Sequence, residues 1–255
     1  MLITLNHFNE GVEIDLEKSV DLSIPNTFNN KNPTFFNSKN PKVEYPINDQ
    51  FIGNISNGGT CNVPNINLNI HCTGTHTECK NHITNSNEFI NDVCPKHFIP
   101  STILSIKPVV AKLSKDKYHV KYGEQDSIIT EIELSKKINK KSKYLESLIV
   151  RTLPNESNKL IRNYDLNAAA FFSNDAINYI INLGVKHLLV DLPSIDRSND
   201  HGILGNHHLF FEKGKTVSEL LYVPNRIEDG VGFLQIQIPN WSLDAAPSRP
   251  IFCPI

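Results

Sequence analysis

The sequence predicts an α/β protein, with helices and strands packed in layers, and three observations carry that reading. Residues 174–184 set apolar side chains at helical spacing, and 185–191 (VKHLLVD) follow at once as a short apolar run of strand length. Strand-like runs recur at 101–106, 147–151, 217–222 and 233–238. No internal repeat and no linker rich in Gly, Ser or Pro divides the 255 residues, so 1–255 is expected to form a single domain with one substantial core.

Taken in order, the N-terminal segment MLITLNHFNEGVEIDL alternates apolar and polar residues and reads as a first strand. It has neither the basic start nor the apolar run of a secretory signal, so a cytoplasmic location is expected. Residues 20–25 read as a short strand before a long loop punctuated by Pro33, Pro41 and Pro46. Segments 51–55 and 63–70 alternate at period two and are expected to be strands. The charged segment 131–143 reads as a solvated helix with surface lysines. For 174–184, Ser173 is the expected N-cap and Gly184 the stop. A polar loop over 193–202, a short helix ending near Gly214 and the strand 217–222 follow. The chain closes with a strand at 233–238 and a proline-rich end.

A net charge of -2 gives no electrostatic reason to expect nucleic acid or an anionic membrane as a partner. No apolar run approaches the roughly 18 residues that a membrane helix needs. The five cysteines are odd in number and widely spread, which suits reduced thiols better than a disulfide framework.

The chemistry concentrates in residues 70–82, IHCTGTHTECKNH, where His71, His76 and His82 accompany Glu78, Cys72 and Cys79. His76 and Glu78 are two apart, so in extended backbone they point to one side. Gly74 would let the chain turn and bring His71 back towards them. Two imidazoles and a carboxylate make a donor set suited to zinc, manganese or iron(II), with positions left open for water. A structural zinc finger lacks its paired spacing here, and the cysteines are too far apart for a C-x-x-C redox pair. A polar loop whose histidines only hydrogen-bond is the remaining alternative.

Beyond this stretch the residues resemble a known family, the cyclase-like metal-dependent hydrolases that include bacterial kynurenine formamidase. The family hallmark is His-x-Gly-Thr-His-x-Asp-x-Pro-x-His. Here Gly74-Thr75-His76 matches, Glu78 stands for the Asp, Lys80 for the Pro, and His82 closes the motif, while His71 comes one residue early. Downstream, Asp191-Leu192-Pro193-Ser194-Ile195-Asp196 matches an Asp-x-Pro-Ser-x-Asp segment. His207 and Glu219 match a His and Glu twelve residues apart, and Ala246-Pro247-Ser248-Arg249-Pro250 resembles the closing segment.

The resemblance implies a mixed β-sheet α/β domain of the swivelling β/β/α type, forming a homodimer or larger homo-oligomer. It implies a hydrolase of a small amide, arylformamide or cyclic carbonyl substrate, using metal-activated water. Carried over, His71, His76 and Glu78 bind one divalent ion, zinc or manganese, and Glu78 bridges to a second ion completed by His207 and Glu219. His82 is left as the proton shuttle, with a supporting hydrogen-bonder or an extra ligand as the alternative. Apart from the resemblance, Phe211, beside Phe210, could wall an aromatic substrate pocket, the alternative being that one or both belong to the core. Lys80 would place a cation near the metals. Ser194 and Asp196 are expected to cap a turn. The rival reading is a non-catalytic metal- or ligand-binding protein of the same fold.

Overall fold

The computed structural model describes all 255 residues. Its centre is a nine-stranded mixed sheet. Across the sheet the strands run Ala245–Pro247, His76–Glu78, Thr216–Glu219, His187–Val190, Ser147–Thr152, Ile99–Ile106, Gly230–Gln237, Arg249–Pro254 and Val20–Asp21. The four strands from Thr216–Glu219 to Ile99–Ile106 are mutually parallel. The strands beyond them on both sides pair antiparallel.

Parallel strands need cover on both faces, and these have it. Every residue of Ser147–Thr152 is buried. Alternation then sorts the side chains: Leu148, Val150, Leu188 and Val190 enter one core, Ile149 and Leu189 the other. The first core is closed by the helices Glu131–Lys137, Asn174–Asn182 and Gly205–Phe211, through Leu134, Ile177, Ile180, Phe210 and Phe211. Each of these fully buried side chains is worth roughly 1.5–3 kcal/mol of transfer free energy.

Helix Asn174–Asn182 starts where the sequence places it, because Ser173 Oγ accepts the Ala176 N–H at 3.0 Å. It stops before Gly184, whose φ of +83° is open to glycine. The charged helix is shorter than expected and ends at Lys137. Ile138 leaves the helical path there and buries its side chain in the core, which the charge pattern does not announce.

The N-terminal segment forms a hairpin, Leu2–His7 with Glu10–Asp15. The strands expected at 51–55 and 63–70 shrink to Phe51–Ile52 and Asn65–Asn67, each in a two-stranded ribbon outside the main sheet. Their alternation is not matched by burial: Ile66 is 57% exposed. The proline-rich end supplies two sheet strands, Ala245–Pro247 and Arg249–Pro254. Pro250 takes part there through its carbonyl, which accepts the Leu22 N–H at 2.9 Å. No helix is long and apolar enough to cross a membrane.

At the carboxyl ends of two central strands lies a buried ion pair. Asp191 accepts from Lys159 Nζ at 2.7 Å, from the Thr152 N–H, and from Thr152 Oγ1 at 2.9 Å. Lys159 also donates to the Thr152 carbonyl and to Asn155. The first acid of the Asp-x-Pro-Ser-x-Asp segment therefore ties neighbouring strand ends together.

Candidate metal centre

The site is built where the sheet switches from parallel to antiparallel. The strand His76–Glu78 runs antiparallel to Thr216–Glu219, and the register sets Glu219 directly opposite His76. Directly paired residues share a face, as do residues two apart, so His76, Glu78 and Glu219 converge. Thr75 pins the approach, its Oγ1 accepting the Ile24 N–H at 2.8 Å and donating to the Leu220 carbonyl. Gly74 packs closely here: a Cβ would come within 2.9 Å of Asn26 Oδ1, so that side chain would have to shift.

His76 is fully buried, and its Nδ1–H donates to the Gly74 carbonyl at 3.0 Å. That leaves a lone pair on Nε2, which has no hydrogen-bond partner. This nitrogen stands 3.6 Å from Glu219 Oε2 and 3.8 Å from Glu78 Oε2. Burial, then the charge of His71, lower His76 to about 4, so the ring stays neutral. A bare lone pair facing two carboxylate oxygens is unfavourable until a cation lies between them. The donor set therefore fits a divalent ion.

Glu78 is the hub. Its Oε1 is 2.9 Å from His207 Nε2, and its Oε2 is 2.9 Å from His71 Nδ1 and 3.7 Å from His82 Nε2. Burial alone would raise this carboxyl, yet the surrounding imidazoles, His82 and His207 foremost, hold it well below the usual range. Glu219 goes the other way, raised by burial and by the charge of Glu78. His207 lies on the helix Gly205–Phe211 with Nε2 3.4 Å from Glu219 Oε1, and its Nδ1 contacts Asp196 Oδ2 at 2.8 Å. Burial opposes a charge on His71, but hydrogen bonds to Asp244 and Glu78 outweigh it and raise the ring to about 10.

The structure thus brings together His71, His76, Glu78, His207 and Glu219. Ligand atoms of His71, His76 and Glu78 lie within 4.8 Å of one another, as do those of Glu78, His207 and Glu219. His82 stacks on His71 with ring centroids 4.1 Å apart and borders the same cavity, about 590 Å³ in volume. His208 faces solvent, one helical step away from the site.

Two expectations need correction. Phe211 does not wall the cavity: one turn beyond His207, it points into the hydrophobic core and is fully buried. The aromatic residues bordering the cavity are Phe35 and Phe36, from the long loop near the N-terminus. Lys80 does not border the cavity, so the cation expected near the metals is not part of its lining.

Sequence reasoning missed Asp244. Its Oδ2 is 2.9 Å from His71 Nε2 and 3.3 Å from His82 Nδ1, linking the two rings. These two hydrogen bonds keep its carboxyl ionised, well below the usual range. Asp244 lies two residues before the closing Ala246–Pro250 segment, and that nearness was the available signal. Asp196 does more than cap a turn, because it holds His207.

Comparison with known proteins agrees with this architecture. The "Putative cyclase" family model matches residues 20–197. A kynurenine formamidase of Bacillus mycoides (strain KBAB4) is 22% identical over 206 residues, covering 78% of this chain and 83% of the relative. Among solved structures, a "predicted metal-dependent hydrolase" from Bacillus stearothermophilus superposes with a TM-score of 0.61 at 18% identity, over 92% of this chain and 98% of that one. Isatin hydrolase A from Ralstonia solanacearum gives 0.64 at 14% identity, over 93% and 92%. His207, Glu219 and Asp244 lie beyond the matched segment and join the site through the fold. With most of its length matched and the mixed-sheet α/β fold shared, the chain belongs to the cyclase family.

Proposed function

We propose that this protein is a metal-dependent hydrolase that cleaves a C–N bond in a small amide, arylformamide or cyclic carbonyl substrate. The observation that carries the reading is the buried, unpartnered Nε2 of His76 between the carboxylates of Glu78 and Glu219. The kynurenine formamidase and isatin hydrolase relatives support the substrate class.

His71, His76 and Glu78 would hold one ion, and Glu78, His207 and Glu219 a second, with zinc or manganese suited to the nitrogen and oxygen donors. A divalent ion bound here supplies Lewis acidity towards a carbonyl oxygen and towards water. The two oxygens of Glu78 face different imidazoles, which suits a bridging carboxylate.

The protein's own residues handle the protons. His82 borders the cavity, with Nδ1 turned to Asp244 and Nε2 to Glu78. Asp244 accepts the Nδ1–H and fixes the ring, so that Nε2 is the atom that takes a proton from the attacking water. The same nitrogen then delivers it to the departing nitrogen, which leaves badly as an anion. Phe35 and Phe36 offer apolar surface for a flat substrate at the cavity wall.

The test is metal analysis of the purified protein, then turnover of a panel of formamides, amides and cyclic imides with and without a chelator. Chelator-sensitive hydrolysis is expected. Metal-independent hydrolysis, or stoichiometric metal without turnover of any panel member, would count against the reading.

A further inference from the structure

His207 is held by Asp196, and Asp196 in turn meets Tyr118, a residue that no sequence motif marks. Asp196 is fully buried and receives four hydrogen bonds with protein donors. Its Oδ1 accepts the Asn206 N–H at 3.0 Å and the Tyr118 hydroxyl at 3.0 Å. Its Oδ2 accepts the His207 N–H at 3.1 Å and His207 Nδ1–H at 2.8 Å.

The direction of the Tyr118 bond is fixed by its other partner. The Arg197 N–H points at the same phenol oxygen at 2.8 Å and can only donate. The phenol has one proton, and with the Arg197 side taken by an incoming donor, that proton goes to Asp196. Asp196 is therefore held as an acceptor, so His207 must carry its proton on Nδ1. Nε2 is then the nitrogen left for an ion; in the metal-free protein it hydrogen-bonds Glu78 Oε1 at 2.9 Å and lies 3.4 Å from Glu219 Oε1.

Tyr118 is itself rigidly placed. Its ring packs 4.8 Å from Phe171 and stacks on Tyr122 at 5.9 Å between centroids. The loop carrying it is tied to the N-terminus of helix Asn174–Asn182. Asp116 accepts from Ser173 Oγ at 2.6 Å, and the Lys117 N–H donates to Asp175 at 2.7 Å.

We propose that Tyr118 is a positioning residue of the metal centre, selecting through Asp196 the His207 tautomer that presents Nε2 to the ion. The inference rests on the metal reading of the site given above. Outer partners of this kind typically change metal affinity by about 10–100-fold when removed.

The experiment compares the full-length wild type with Tyr118→Phe and Tyr122→Phe. Tyr122 is in the same stack, but its hydroxyl donates to the Asp116 carbonyl and does not touch Asp196. Zinc and manganese dissociation constants are measured by competition with a chromophoric chelator, alongside melting of the metal-free proteins. Tyr118→Phe is expected to raise the dissociation constant about tenfold or more, with Tyr122→Phe near wild type.

Equal affinity in Tyr118→Phe and wild type, or equal losses in both variants, overturns the proposal and leaves the metal reading standing. A wild type that binds neither metal overturns both. A second measurement needs no variant: long-range ¹H–¹⁵N spectra of the zinc-loaded wild type should show His207 protonated at Nδ1 and ligated through Nε2. The opposite assignment overturns the proposal.

Discussion

His76 and Glu219 stand directly opposite one another on antiparallel strands, with Nε2 of the first 3.6 Å from Oε2 of the second, both buried and no donor between them. Such a pair is poorly stable by itself and favourable around a cation. Glu219→Gln keeps the shape and removes one buried charge beside Glu78. It should weaken metal binding by at least about tenfold, while the metal-free variant melts at or above the metal-free wild type. Chelator competition and thermal melting with excess chelator check this. A variant that loses stability yet keeps full metal affinity would assign Glu219 a structural role.

His82 and Asp244 are expected to separate catalysis from metal binding. His82→Gln should lower kcat by about 10²–10⁴-fold with metal content retained. Asp244→Asn should fall in the same direction, because it withdraws the carboxylate that orients the ring. Steady-state kinetics with metal analysis on the same samples decides. Wild-type kcat in His82→Gln would remove it from the reaction.

The Lys159–Asp191 pair gives a prediction about stability. Lys159→Met leaves Asp191 buried with its positive partner gone, and should cost about 3–5 kcal/mol in urea unfolding. Adding Asp191→Asn to that variant should recover part of the loss. Equal stability of wild type and Lys159→Met would show that the pair holds nothing together.

A pH dependence follows from His187. Its Nδ1 is paired with Thr216 Oγ1 at 2.7 Å, and burial lowers the ring to about 4, helped by the charges of Lys186 and Lys215. Below its ordinary 6.5 the unfolded chain takes up a proton that the folded ring refuses. The stability contributed by the neutral ring is therefore complete above 6.5 and lost as pH falls towards 4, up to about 3 kcal/mol. His187→Gln should reduce the slope of the unfolding free energy across that window, leaving the contribution of His76, which is lowered to about 4 as well. Parallel curves for the two proteins would show that another group sets the slope.

The sequence carried the parts of the fold and site that local pattern encodes. The Ser173 cap, the Gly184 stop and the strand after it are local, and so is the two-residue spacing that aims His76 and Glu78 together. What it did not carry depends on contacts far along the chain. Asp244 is a single acid in a loop, and only the pairing of Ala245–Pro247 with His76–Glu78 brings it to His71 and His82. Tyr118 reaches Asp196 across 78 residues of sequence. The alternation at 63–70 suggested a half-buried strand, but alternation does not say whether a second layer covers it, and there none does. Phe211 was misplaced for a related reason: four residues from His207 on a helix, it shares a face but lies one turn deeper in the core.

The decisive measurement is the metal stoichiometry and hydrolytic activity of the wild type beside His76→Ala. The wild type should hold one or two equivalents of a divalent metal and hydrolyse at least one small amide, formamide or cyclic imide. His76→Ala should lose metal and turnover together while remaining folded by circular dichroism. A folded His76→Ala protein that keeps both would contradict the assignment of this cluster as the metal centre.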